Sequence, residues 1–385
     1  MTLRGSTDTQ RGDADFVISG LGLANPNTGQ GVYARRLIAG LVKELGSRVV
    51  VVAPEWVQRP DEIPAENFRI LPRFRVPRQS SFRQIVVSER LLRFVRREFP
   101  GAVFHSPGPI LGLVKPKTTV VTLHDCLYRH FSNYDGRLKN RRLLLQATER
   151  FAARATLVLT DSEFSRRDLI SNADIPRTKI SVLYPWVGNE FLQPIDPEAV
   201  ASLRVRYGLP DRFWLYLGGY DYRKNVEFLL RAYAAGAGNG KFPPLVLAGN
   251  IPSEKNRAHC DVSGALQRTK VPVFLPGAIP ATDLPVLYRA ASLLIFPSLM
   301  EGFGLPPAEA LAVGTPVLSA NNSSLPEVVR KQECLFDATE LESLVVKLTA
   351  AAADERQFRA ELPPEFGEAQ AISCYLQLIE QIAGT

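Results

Sequence analysis

The sequence predicts an α/β protein built from two doubly wound, Rossmann-like domains in tandem. Short β-branched and apolar runs alternate with longer amphipathic stretches throughout, the pattern of parallel sheets flanked by helices. That pattern halts at a turn-rich stretch near the middle and then restarts. At 385 residues the chain is also too long for one ordinary core.

In the first half, strands are expected over 15–21 (DFVISGL), 48–54, 102–107, 118–125, 155–162 and 179–185, with helices over 31–45, 82–98, 139–154 and 163–171. WVGNEFLQPIDPEA (186–199) carries two prolines and several turn residues, which marks it as the linker. The domains are therefore expected at 1–190 and 191–365. Strands restart at 212–219, 244–250, 271–277, 291–298 and 315–321. A last helix, about 366–382, follows the proline-marked break ELPPEFG, which would let it leave the second domain and pack back on the first. Ligands bind at the carboxyl ends of strands in such sheets, so a cleft between the two domains is the expected active site.

Composition narrows the function. Hydrophobic content of 45% and charge of 22% fit a folded, soluble chain. No apolar run approaches the roughly 18 residues of a membrane span, and MTLRGSTDTQRGDAD lacks the apolar core of a signal peptide, so a cytoplasmic location is expected. Cys126, Cys260, Cys334 and Cys374 are scattered, with no Cys-x-x-Cys pair, and the reading is four reduced thiols with neither metal site nor disulfide framework.

Charge divides the halves. Residues 1–195 hold 29 basic and 18 acidic groups, a net of +11, against 17 and 21 in 196–385, a net of −4. Within the first half, the Arg-rich segment 69–97 has nine arginines and one acid, Glu89, interleaved with Phe, Leu and Ile. Such a segment suits an anionic membrane surface or a phosphate-bearing acceptor, and a solvated basic helix face explains it equally well. No nucleic-acid module accompanies the charge, so nucleic acid is not an expected partner.

The chemistry-bearing residues concentrate in EGFGLPPAEALAVG (301–314). Glu301 falls on the loop after a predicted strand, and Pro306 and Pro307 fit the first turn of a helix, where a missing N–H does no harm. Glu309 then sits one turn inside that helix, off the face of Glu301. The glycines let the amides of Phe303, Gly304 and Leu305 approach a ligand near a positive helix N-terminus that suits phosphate. Two carboxylates beside a phosphate site serve best as acceptors for sugar hydroxyls, which points to a nucleotide sugar. Complementing the helix dipole would account for Glu309 and leave Glu301 and the glycines unexplained.

The longer run GAIPATDLPVLYRAASLLIFPSLMEGFGLPPAEALAVGTPVLSANNSSLPEV (277–328) resembles the signature of the retaining glycosyltransferases of family 4, which have the two-domain GT-B fold. The resemblance implies that Glu301 contacts the transferred sugar, that the backbone of Gly302, Phe303, Gly304 and Leu305 reaches sugar hydroxyls and phosphate, and that Glu309 binds the nucleotide ribose. It adds Ile279 and Gly219 to the donor-binding set. In LGGYDYRKN (217–225), Lys224 and Arg223 match the cations that neutralise the departing diphosphate, while Tyr220 stands where many members carry an arginine. NPNTGQGVYARRL (25–37) is similar to the family loop facing donor and acceptor, which makes Gly29 and Gly31 backbone-approach positions; as a dinucleotide fingerprint it lacks a glycine.

VTLHDCLY (121–128) supplies His124 and Asp125 at a strand end, where family members place a histidine near the donor sugar and leaving phosphate. Without the resemblance, His124 reads equally well as a satisfied strand-end histidine. His105 also ends a strand and ranks below it; His130 and His259 are read as structural.

The implied activity is transfer of a hexose from a nucleoside-diphosphate sugar to a glycan or lipid-linked acceptor, with retention. No carboxylate stands out as an enzymic nucleophile, and Lys224, Arg223 and helix N-termini would supply the neutralisation, so no cofactor or metal is expected. The G-x-G-x-Y, HD and RKN variants look most like bacterial mannosyltransferases, which favours GDP-mannose. YPWVGNEF departs from the usual Asn-Gly-Val-Asp stretch, and Arg330 stands where glycine is common. A GT-B epimerase or phosphorylase, or an idle sugar-nucleotide-binding protein, are the alternative readings. Glu301→Ala is expected to abolish transfer with the fold intact.

Overall fold

The computed structural model describes residues 14–72, 80–131, 141–237, 242–251, 260–269 and 272–383. The described chain falls into two compact units. One takes nearly all of the chain through Trp186 together with the stretch from Gly367 onward, and the other is built on Val187–Phe366.

The first unit holds β1 (Phe16–Ser19), β2 (Val49–Ala53), β3 (Phe68–Ile70), β4 (Val103–Ser106), β5 (Thr118–Thr122), β6 (Leu157–Thr160) and β7 (Ile180–Val182). They pair in parallel in the order β3-β2-β1-β4-β5-β6-β7. The crossings are made by α1 (Gly29–Leu45), α2 (Ser80–Glu98), α3 (Arg141–Ala153) and α4 (Glu163–Asn172). β2, Val-Val-Val-Val-Ala, is buried along its whole length, as a parallel strand covered on both faces must be.

The second unit holds β8 (Trp214–Leu217), β9 (Leu245–Ala248), β10 (Val273–Gly277), β11 (Leu293–Phe296), β12 (Val317–Ala320) and β13 (Leu335–Phe336), again parallel, in the order β10-β9-β8-β11-β12-β13. Its helices are α5 (Pro197–Tyr207), α6 (Val226–Ala237), α7 (Val262–Thr269), α8 (Leu284–Ala290), α9 (Leu305–Val313), α10 (Leu325–Val328) and α11 (Leu341–Ala353). Asp196 caps α5 through Glu198 N–H, with Pro197 opening the helix and left-handed Gly208 closing it.

The chain crosses between units within the predicted linker, at Trp186 and Val187, and returns after Phe366. Val187 N–H donates to Phe366 O at 3.0 Å, which pairs the two ends of the second unit's main stretch. The final helix, α12 (Glu368–Ala383), belongs to the first unit: Ala371, Ile372, Tyr375 and Ile379 join Leu37, Ile38 and Leu41 of α1 in its core. Burying each large side chain there is worth about 1.5–3 kcal/mol, enough to hold a C-terminal helix in place.

The expected strands appear in their expected order but shorter. Their apolar runs continue past the last ladder bond into the loops, so His124 lies beyond β5 and Ser298 beyond β11. β3 and β13 are missed by periodicity, because three and two residues are too few to show it.

Candidate active site

In the second sheet the chain runs outward from β8 to β10 and then returns to the other side of β8 as β11. Connections on either side of that reversal leave in opposite directions, which makes the β8/β11 gap the topological switch point where ligands bind in open α/β sheets. The two loops leaving there are the ones singled out in the sequence. Leu299 N–H donates to Arg223 O at 2.7 Å and ties them together.

Side chains complete the junction. Lys224 Nζ lies 2.6 Å from Glu301 Oε1, and Arg223 Nη1 lies 2.7 Å from Glu301 Oε2. Arg223 also pairs with Asp221 at 3.0 Å and donates to Met300 O at 3.1 Å. The Lys224 ammonium sits 5.0 Å from the centre of the Phe296 ring, a cation–π contact. Burial would raise the Glu301 carboxyl, but Arg223 and Lys224 outweigh it and hold the group at about 2. Burial, helped by neighbouring Arg223, pulls Lys224 below its ordinary value despite Glu301.

The backbone of this loop is held from below. Glu301 N–H donates to Ser323 Oγ at 3.0 Å, and Ser324 Oγ lies 2.9 and 2.8 Å from the carbonyl oxygens of Glu301 and Phe303. Gly304 has φ of 113°, and a Cβ there would come within 2.7 Å of Leu325 Cδ2, so both backbone and space require glycine. Gly302 and Phe303 are buried in the same turn, and Phe303 packs edge-on against Phe366 at 5.0 Å. α9 then starts at Leu305 with the prolines in its first turn. Glu309, one turn in, is buried and accepts from Tyr288 Oη at 3.2 Å.

Two other predicted donor positions lie on loops after strands of this sheet. Gly219 is exposed just past β8, and Ile279 is half-buried on the loop after edge strand β10. Tyr220, at the family's arginine position, turns into the core: it is buried, donates to Leu247 O at 3.2 Å and packs on Tyr216.

In the first unit, His124 is gripped by Asp161, just past β6: Nδ1 lies 2.9 Å from Oδ2, and Nε2 lies 3.4 Å from Pro107 O. Burial disfavours the charged ring, but Asp161 overrides it and raises His124 above its usual value. Asp125, predicted beside His124, accepts from Leu127 N–H at 3.1 Å and caps its own turn. Tyr33 of α1 meets His124 edge-on at 5.0 Å and lies 3.3 Å from Thr122 Oγ1.

His105 shares the Thr122 hydroxyl with Tyr33. Its Nε2 lies 2.9 Å from Thr122 Oγ1 and its Nδ1 3.1 Å from Tyr375 Oη on α12. With no carboxylate beside it, burial and the neighbouring His124 push it down to about 3. Gly29 opens α1, and Thr28 caps it by accepting from Gly31 N–H at 3.1 Å. A Cβ on Gly31 would fall 2.0 Å from Asn25 O, so the close approach that requires glycine is to the chain's own loop.

Sequence reasoning passed over Asp161, Tyr288, Ser323 and Ser324. Each sits in a stretch already quoted, and a polar residue just past a β-strand is the signal that Asp161 offered. In the basic segment, Arg83 stacks on Trp56 at 3.9 Å, while Arg93 and Arg97 pair with Glu89 and Glu98 on α2. Residues 73–79 of that segment, and His259, lie outside the described residues. Among the described residues no helix is long and apolar enough to cross a membrane.

Comparison with known proteins agrees with this architecture. Residues 204–370 match the model for "Glycosyl transferases group 1" and residues 27–190 that for "Glycosyltransferase Family 4". The serotype-specific mannosyltransferase WbdA of Escherichia coli is 30% identical over 63% of this chain, which spans only 30% of that protein's length. The O-antigen chain mannosyltransferase B of Escherichia coli is 27% identical over 86% of this chain and 88% of its own. Among solved structures, sucrose-phosphate synthase from Thermosynechococcus elongatus superposes with a TM-score of 0.70 at 20% identity, over 96% of this chain and 99% of that one. With two sheets of Rossmann type, and with both halves matched by glycosyltransferase models, the chain is a family-4-like glycosyltransferase with the GT-B fold, and the mannosyltransferases above are among its relatives.

Proposed function

We propose that this chain is a retaining hexosyltransferase that moves mannose from GDP-mannose to a hydroxyl of a glycan or lipid-linked acceptor. The observation that carries the reading is the Glu301–Lys224–Arg223 cluster at the switch point of the second sheet. With Asp221 included its four charges balance, so a bound diphosphate would compete with Glu301 for the two cations. Drawn toward the diphosphate, Lys224 and Arg223 stabilise the leaving group while the Glu301 carboxylate accepts from sugar hydroxyls. Glu309, steadied by Tyr288, is the ribose acceptor in this reading. Transfer then needs positioning and charge stabilisation, with the acceptor attacking on the face the diphosphate leaves. The residues present supply that neutralisation without a divalent cation.

The donor assignment rests on the mannosyltransferase relatives. A thermal-shift screen against GDP, UDP, ADP and their sugars tests it, because a ligand that binds only the folded state raises its apparent stability. GDP and GDP-mannose should raise the melting temperature most; a response confined to uridine or adenosine nucleotides would overturn the choice of base.

Acceptor recognition falls to the basic first unit, at an anionic lipid surface on the cytoplasmic side of the membrane. Arg90, Arg93, Arg96 and Arg97 lie along α2 with apolar residues between them. Replacing all four with Gln should weaken sedimentation with anionic vesicles several-fold, and unchanged binding would remove the membrane role.

A further inference from the structure

One cluster in the first unit takes no part in the chemistry above. Cys126 and His130 flank the single turn Leu127–Arg129, and Asp168 comes from α4. Their ligand atoms all lie within 4.8 Å of one another. Cys126 Sγ is 2.9 Å from Asp168 Oδ2, and His130 Nε2 is 2.7 Å from Asp168 Oδ1. Cys126 and His130 have a Cys-x3-His spacing that the reading of four scattered thiols passed over, and the turn brings both to one carboxylate.

We propose that Cys126, His130 and Asp168 form a binding site for a zinc-class divalent ion, with solvent completing the coordination. The donor set is one thiolate, one imidazole and one carboxylate, the mixture that borderline-soft ions such as zinc select over magnesium or calcium. Zinc bond lengths of about 2.0–2.3 Å set donor separations of roughly 3.3–3.8 Å around a tetrahedron. The present 2.7 and 2.9 Å contacts need only open slightly, within the 4.8 Å envelope, to admit an ion.

The outer contacts suit the purpose. Asn172, one turn beyond Asp168, donates to Asp168 Oδ1 at 2.7 Å and leaves Oδ2 directed at Cys126. Cys126 and Asp168 are buried, while His130 is about one-third exposed and gives an ion its entry. On binding, the thiol proton leaves to solvent, and His130 ligates through Nε2 with its proton on Nδ1. An ion here would tie the segment that follows His124 and Asp125 to α4. This proposal is independent of the identity of the sugar donor.

The test uses the full chain, stripped of metal by dialysis and titrated with Co²⁺, then with Zn²⁺ in competition with a chromophoric chelator. One equivalent of Co²⁺ should give tetrahedral d–d bands and a thiolate-to-cobalt charge-transfer band, both removed by Zn²⁺. Cys126→Ser and His130→Gln should each weaken binding roughly tenfold or more, whereas Cys374→Ser, a half-buried thiol elsewhere, should not. Absence of the charge-transfer band, or undiminished binding in His130→Gln, would overturn the site. His130 is partly exposed, so its variant decides the matter even where Cys126→Ser fails to fold.

Discussion

His124 and Glu301 are both buried titratable groups past the ends of parallel strands, one in each unit, and their surroundings treat them differently. His124 has the Asp161 carboxylate at hydrogen-bond distance, with Asp125 adding to it, and is raised; Glu301 has two cations and is held at about 2. His105, equally buried but set between two hydroxyls, falls to about 3. Burial by itself favours the neutral form, and at His124 and Glu301 an oppositely charged partner at hydrogen-bond distance outweighs it. A position past a strand end therefore says little until the partner is known.

The strongest challenge to this contrast is Glu301. Where the sequence alone suggested an intact fold, Glu301→Ala takes this carboxylate from buried Lys224 and half-buried Arg223, and should cost about 3–5 kcal/mol of stability besides transfer. Glu301→Gln keeps the shape and should still lower kcat by about 10²–10³-fold. A variant that transfers sugar at near-normal rate would end the assignment. Glu301 also places stability on the acid side: its contribution is complete above about 4.5 and lost as pH falls toward 2.

Next in size is Asp161→Asn, which keeps a hydrogen-bond acceptor and removes the charge. His124, raised in the fold, contributes stability that is complete below about 6.5 and lost as pH rises through its raised value. The variant should return that loss to lower pH. The fall of kcat on the alkaline side should shift the same way, with a roughly tenfold lower rate at neutral pH. A pH–rate profile identical to the parent would remove Asp161 as the residue that positions and charges His124.

The smallest effect is expected at Tyr375→Phe, which leaves His105 Nδ1 without its hydroxyl partner at a cost of about 1–3 kcal/mol in urea unfolding. His105 works opposite to His124: being neutral in the fold, it loses stability as pH falls from about 6.5 to 3. His105→Phe should flatten that acid-side loss.

Much of this was legible beforehand, for identifiable reasons. The Pro306-Pro307 pair announces the start of α9, and the valine run of β2 announces a buried parallel strand, because both effects act over a few neighbouring residues. Gly304 was legible as a position that uses glycine, read there as ligand approach, whereas the structure shows a left-handed backbone against Leu325. The run 277–328 carried the family, and with it Glu301 and Lys224. The Asp161 grip on His124 was not legible, since 37 residues separate them and adjacent β5 and β6 bring them together. Neither was the inward turn of Tyr220, which the core of β8 and β9 imposes.

Periodicity, turn residues and charge runs follow from local sterics and solvation, so the order of residues was enough for fold class, the order of the longer strands and the loops that bear chemistry. Partnership is non-local. The strand order set Glu301 between two cations, His105 between two hydroxyls, and Cys126 and His130 on one carboxylate. Charge state depends on those neighbours within a few ångströms, and the packed sheet alone could supply them.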